Sequence, residues 1–190
     1  PTPIVTPTPA PEPSDDELVL VRDYIPGIFI DLKYATTDNF TGQVIYDSDE
    51  AYLRYGTVKK LLAAQNELSG RGLSLKIWDA YRPVSAQFKL WEICPNPVYV
   101  SDPNNGYTKN SRLSLLCLND MATMRKLKLI LFMGVMAAQP SLADRDYSDV
   151  SAEAAENARL LESIMVENGF VPYSGEWWHY SDSVSYDVYE

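Results

Sequence analysis

Leu73-Ser74-Leu75-Lys76-Ile77-Trp78-Asp79-Ala80-Tyr81-Arg82-Pro83 passes from a strand pattern to a helix start with no loop between them. Leu73, Leu75 and Ile77 alternate with Ser74 and Lys76, the period of a half-buried strand. Pro83 suits the first turn of a helix, where its missing N–H is not needed, and that helix is expected over Val84 to Trp91. Arg82 therefore stands at a junction gripped by rigid elements on both sides, a favoured place for a functional residue. The position equally suits a surface arginine paired with Asp79.

Toward the N-terminus, Leu18-Val19-Leu20-Val21 and Ile28-Phe29-Ile30-Asp31-Leu32 read as strands separated by a Pro26-Gly27 turn. Tyr34 to Gly42 is a polar loop. Ser48 or Asp49 is the expected cap of a helix that carries Leu53, Val58, Leu61, Leu62 and Leu68 on a loose apolar face and stops at Gly70. Toward the C-terminus, Ser151 to Asn168 is the clearest helix. Ser151 is a good N-cap, Glu153 and Glu156 lie in the electropositive first turn, and Leu160, Leu161, Ile164 and Met165 form the apolar face. Gly169 ends it, and Phe170-Val171-Pro172-Tyr173 leads into an expected strand carrying Glu176. Strands and helices neither alternate strictly nor segregate, which predicts an α+β domain with helices packed on a mainly antiparallel sheet.

At 190 residues, 46% hydrophobic and 12% aromatic, the chain can bury one sizeable core. Residues 1–17 have proline at nearly every other position and almost no bulky apolar side chain, so they read as a stiff solvated spacer before a domain over residues 18–190. Such a spacer fits an extracytoplasmic domain tethered to a cell surface, with an export signal or anchor expected upstream; a cytoplasmic tail is the alternative. The formal charge of -10, from 26 acids against 16 bases, argues against a nucleic-acid partner, which needs clustered Lys and Arg, and against an anionic membrane surface. No apolar run approaches the roughly 20 residues of a spanning helix. Cys94 and Cys117 have neither zinc-finger nor redox spacing, which leaves free thiols or a single disulfide.

Gly175-Glu176-Trp177-Trp178-His179-Tyr180-Ser181 contains the only histidine of the chain. A carboxylate three residues before an imidazole, among aromatic residues, sets a proton carrier beside a metal ligand. The bland reading is that Trp177, Trp178 and Tyr180 fill a core and His179 is hydrogen-bonded among them.

Four segments carry a resemblance: Tyr34 to Gly42; Ile77 to Pro83 followed by Ala86-Gln87; the loop Asp102-Pro103-Asn104-Asn105-Gly106-Tyr107; and Glu176-Trp177-Trp178-His179-Tyr180. They occur in this order in VanX-type D-alanyl-D-alanine dipeptidases, and the chain resembles that family of zinc D,D-peptidases from about Ile25 to Tyr180. The resemblance implies a small α+β peptidase domain, one zinc ion, and hydrolysis of D-Ala-D-Ala or of peptidoglycan stem peptides in cell-wall turnover. It implies Glu176 as general base, His179 as a zinc ligand and Arg82 as the cation that meets the oxyanion. Tyr34, Asp79 and Thr108 are the substrate-binding residues by the same resemblance, and a monomer or small homo-oligomer is expected.

The family's other two zinc ligands belong to a Ser-x-His-x-x-Gly-x-Ala-x-Asp motif. At that place the chain has Thr108-Lys109-Asn110-Ser111-Arg112-Leu113-Ser114-Leu115-Leu116-Cys117, with Asn110 at the position of the histidine and Cys117 at that of the aspartate. A thiolate binds zinc well; a neutral amide binds it poorly. From Arg112 to Gln139 there are four basic residues and one acid, with an apolar run from Leu127 to Ala138 broken only by Lys128. A disturbed reading frame, a sequence error or an engineered replacement would each produce such an island. A non-catalytic homologue that still binds the peptides is therefore the second expectation.

Overall fold

The computed structural model describes residues 11–97, 99–104, 112–120 and 145–186. In chain order the strands are β1 (Leu18–Leu20), β2 (Phe29–Ile30), β3 (Tyr52–Arg54), β4 (Leu73–Asp79), β5 (Arg112–Asp120), β6 (Phe170–Pro172) and β7 (His179–Asp182). The helices are α1 (Val21–Tyr24), α2 (Tyr55–Ser69), α3 (Val84–Ile93) and α4 (Ala152–Glu167), with a 3-10 turn at Lys33–Ala35. β1 and β3 form an antiparallel pair, and the other strands form a sheet in the order β2-β4-β5-β7-β6. Only β2 and β4 run parallel in it. The α+β class with a mainly antiparallel sheet is thus observed.

α2 packs on β4 and on α4. Val58, Leu61, Ala64 and Leu68 of α2 and Ala154, Ala158, Leu161 and Met165 of α4 recur at helical spacing and are all buried, as are Leu75 and Ile77 of β4. Each leucine removed from water contributes about 2 kcal/mol, so this seam holds the layers together. β4 is covered on both faces rather than half-buried. Its polar residues have matched partners there: Ser74 meets the Gln65 amide at 3.0 Å and Lys76 meets Asp31 at 2.7 Å.

The α2 start differs from expectation. Neither Ser48 nor Asp49 caps it; Tyr52–Arg54 is instead β3, and the helix begins at Tyr55. The reason is that backbone carbonyls cap it from the chain's own beginning. The Tyr55 N–H donates to the Glu17 carbonyl at 2.8 Å and the Gly56 N–H to the Asp15 carbonyl at 2.9 Å, satisfying two of the four orphan donors of a helix start. Gly56 makes this approach feasible, since a Cβ there would strike the Tyr186 hydroxyl and come within 3.2 Å of Asp15 Cβ. Residues 12–17 therefore touch the domain: the Tyr55 hydroxyl donates to Glu12 at 2.6 Å and Lys59 pairs with Asp15 at 2.5 Å. Residues 1–10 of the spacer lie outside the described residues.

α4 runs as expected. The Ser151 hydroxyl accepts from the Ala154 N–H at 3.2 Å, and Gly169 takes a φ of +85° just past the helix, a conformation that a residue with a Cβ resists. α3 likewise follows Pro83, which is its N-cap residue. Among the described residues no helix is long and apolar enough to cross a membrane. Cys94, at the end of α3, is a free thiol.

Asp182, at the end of β7, ties the sheet to α2. It accepts from Thr57 at 2.6 Å, from the Val184 N–H at 2.8 Å and from the Lys60 ammonium, with its own side chain 1% exposed. Asp182→Ala strands these donors and is expected to lower unfolding free energy by about 3 kcal/mol, the low end for breaking a buried charge pair because Lys60 keeps some water. Urea unfolding of the two chains measures it.

Candidate active site

Two strand pairings bring the separate motifs together. Asp79, the last residue of β4, pairs with Ser114 of β5, and Ser114 pairs with His179, the first residue of β7. Two strand spacings separate Asp79 from His179, roughly 10 Å between backbones. The Arg82 junction and the Glu176–His179 segment thus share one level of the sheet.

Arg82 is held from several sides. Its Nη2 meets Asp79 Oδ2 at 2.5 Å, its Nη1 donates to Gln87 Oε1 at 2.8 Å, and its Nε donates to the Tyr46 hydroxyl at 3.2 Å. The Tyr46 hydroxyl donates in turn to Asp79 Oδ1, and the Gln87 amide donates to the Ser101 carbonyl at 2.6 Å. The guanidinium lies 4.9 Å from the centre of the Tyr34 ring. The side chain remains 22% exposed, so a ligand can reach it. Arg82 and Asp79 are paired, as the bland reading had it, but Asp79 is buried and the pair sits within a polar network rather than on an open surface. Burial pushes the Tyr46 phenol well above its usual range, and Asp79 adds to this, so it stays a neutral donor.

Tyr34 joins the two halves. Burial pushes its phenol up to about 12 against the opposing pull of Arg82, and the charges of Asp79 and Glu176 add to the rise. The loop after Tyr34 is knitted by Asn39, whose amide donates to the carbonyls of Lys33, Thr36 and Gln43 while its oxygen accepts from the Thr41 N–H at 2.9 Å.

Lys33 is buried beneath this loop, bridged to Asp38 at 2.7 Å and Asp31 at 3.1 Å. For Asp31 burial alone would raise the carboxyl, but Lys76 and Lys33 outweigh it and hold the group below its ordinary range. A carboxyl depressed on folding stabilises above its unfolded pKa, and that contribution is lost as pH falls through the folded value. The stability deficit of Asp31→Asn against the native chain is accordingly expected to shrink as pH drops below about 4. Urea midpoints over a pH series measure this.

Glu176 is not on a strand as expected. β6 stops at Pro172, Ser174-Gly175 turns the chain, and β7 begins only at His179, because the Tyr173 N–H closes the turn onto the His179 carbonyl at 2.9 Å. Glu176 Oε2 lies 2.9 Å from His179 Nδ1. The His179 side chain is 12% exposed and Glu176 38% exposed, so the carboxylate faces water while the imidazole is sheltered. Trp177, Trp178 and Tyr180 are core residues.

The described residues do not by themselves supply three zinc ligands. Among the described residues no group of three His, Cys, Asp or Glu comes together; the His179 contact with Glu176 uses Nδ1 and leaves Nε2 for a ligand. Thr108 and Asn110 lie outside the described residues, as does the apolar run from Leu127 to Ala138; Cys117 falls within β5, with its side chain outside what is described. Sequence reasoning missed Tyr46 as a partner of Asp79 and Arg82, and it gave Gln87 no role. Tyr46 stands in irregular chain with no periodic signal; Gln87, one turn after Pro83 on α3, was legible as a neighbour of Arg82.

An α+β domain that sets an anchored arginine beside a Glu–His pair has the makings of a hydrolytic site. The family model described as D-ala-D-ala dipeptidase, a peptidase family, matches residues 14–132 and 136–187. The chain belongs to this family. It is 36% identical over 167 residues to a D-alanyl-D-alanine dipeptidase of Escherichia coli K12, covering 86% of this chain and 83% of the relative. It is 30% identical over 184 residues to a D-alanyl-D-alanine dipeptidase of Enterococcus faecium (83% and 87%), and 31% identical over 195 residues to one of Streptomyces coelicolor (87% and 91%).

Proposed function

We propose that this chain hydrolyses D-alanyl-D-alanine, or peptidoglycan stem peptides that end in it, with Arg82, Glu176 and His179 as the working groups. The observation that carries the reading is the shared level of the Asp79/Arg82 junction and the Glu176–His179 pair across β4, β5 and β7. Glu176 accepts a proton from a water that adds to the peptide carbonyl. The carbonyl oxygen becomes an anion, and the Arg82 guanidinium, fixed by Asp79, Gln87 and Tyr46, meets that charge with little rearrangement. As the C–N bond breaks, Glu176 returns the proton to the departing amine. His179 keeps the carboxylate aimed through its Nδ1 contact. Tyr34 and Asp79 serve the substrate side through Arg82, which one lies against and the other fixes, with Thr108 assigned there by resemblance. Zinc dependence is part of the proposal only through His179, the one family ligand among the described residues, and the steps above run on protein groups. The Pro/Thr-rich start supports an extracytoplasmic setting.

A second reading, peptide binding without turnover, takes its support from Asn110 and Cys117 standing where the family motif has a histidine and an aspartate. Zinc per chain by elemental analysis, with D-Ala-D-Ala hydrolysis followed on the same sample, separates the two. About one zinc with turnover supports the hydrolase; saturable D-Ala-D-Ala binding with neither zinc nor turnover supports the second.

A further inference from the structure

Arg145 lies outside every motif of the sequence reading, yet its side chain, 12% exposed, reaches the turn that carries Glu176 and His179. Its Nε donates to the Tyr173 carbonyl at 2.9 Å, and its Nη2 donates to the carbonyls of Glu176 at 3.3 Å and His179 at 3.1 Å. Its Nη1 donates to Glu162 Oε2 on α4 at 2.8 Å and to the Tyr180 hydroxyl at 3.3 Å, with the Tyr180 ring centre 4.7 Å from the guanidinium. Tyr173 and His179 close the turn on each other, and Glu176 is its middle, so one planar fork binds both ends and the centre. The approach to this position is itself constrained. Tyr147 adopts a φ of +59°, uncommon for a residue with a Cβ, is buried, and packs its ring 5.3 Å from the Arg159 guanidinium of α4.

We propose that Arg145 is a positioning residue: it clamps the 173–179 turn to α4 and thereby keeps the Glu176 carboxylate on Nδ1 of His179. The proposal rests on the reading of Glu176 and His179 as the working pair. A guanidinium can serve three carbonyls and a carboxylate at once, whereas a lysine is a point charge on a flexible stem. Arg145→Lys therefore keeps the charge and loses the clamp.

His179 is the chain's only histidine, so its imidazole nitrogen resonances are unambiguous. Its Nδ1 carries the proton when it donates to Glu176, and long-range proton–nitrogen NMR of the neutral ring reports the ratio of Nδ1–H to Nε2–H forms. In Arg145→Lys this ratio is expected to fall roughly fivefold, what one ordinary hydrogen bond is worth. Glu162→Gln, which leaves Arg145 in place but loosens it from α4, moves the ratio the same way by less, and covers the case in which the lysine variant does not fold. Val58→Ala, which loosens the core at α2, leaves it unchanged. An unchanged ratio in the Arg145 and Glu162 variants that fold, or an equal change in Val58→Ala, overturns the proposal. Absence of D-alanine release by the native chain bears on the hydrolytic reading alone, because the ratio is read without turnover.

Discussion

Glu176→Gln is expected to leave peptide affinity nearly intact and to lower kcat by about 10²–10⁴-fold, the usual contribution of a positioned general base. The substitution tests the chemistry rather than the architecture. A glutamine oxygen still accepts from His179 Nδ1, so the 2.9 Å contact and the turn that holds it survive. What disappears is a group able to take the proton of the attacking water and deliver it to the leaving amine. Steady-state kinetics on D-Ala-D-Ala, with calorimetric affinity on the same protein, distinguishes the two effects. A loss of affinity matching the loss of rate would assign Glu176 to binding instead.

Arg82→Lys is expected to cost about 10²–10³-fold in kcat/KM, although charge is conserved. The fork of Arg82 is committed to Asp79, Gln87 and Tyr46 through three different nitrogens, and no lysine can reproduce that set. Asp79 would be left buried with only Tyr46 and the Ala80 N–H as donors, while the new ammonium would settle nearer to water. Tyr46→Phe removes one of the three tethers and should show a smaller loss in the same direction. If the lysine and phenylalanine variants both retain native kcat/KM, Arg82 does not meet the developing charge.

The junction at Asp79–Pro83 was legible because two local signals meet there, an alternating strand and a proline suited to a helix start, with Arg82 between them. α4 was legible for the same reason, with its cap, acidic first turn and terminal glycine consistent with each other. What escaped were long-range matters. The α2 cap comes from Asp15 and Glu17, far off in sequence, so no local residue could announce it, and Ser48 and Asp49 precede β3 instead. β3 is too short to show a period, and its pairing with β1 is a tertiary choice. Glu176 was expected on a strand because the aromatic run around it favours extended chain, but those rings are core residues and Gly175 breaks the strand before it. Arg145 carried no signal at all, since a clamp on backbone carbonyls needs no particular sequence at the carbonyls.

The most direct measurement is release of D-alanine from D-Ala-D-Ala by the purified chain supplied with zinc, run beside Glu176→Gln and with L-Ala-L-Ala as comparison. The account predicts D-alanine from the native chain, little from the variant and none from the L,L peptide. No release by the zinc-supplied native chain would contradict it, whether or not D-Ala-D-Ala binds.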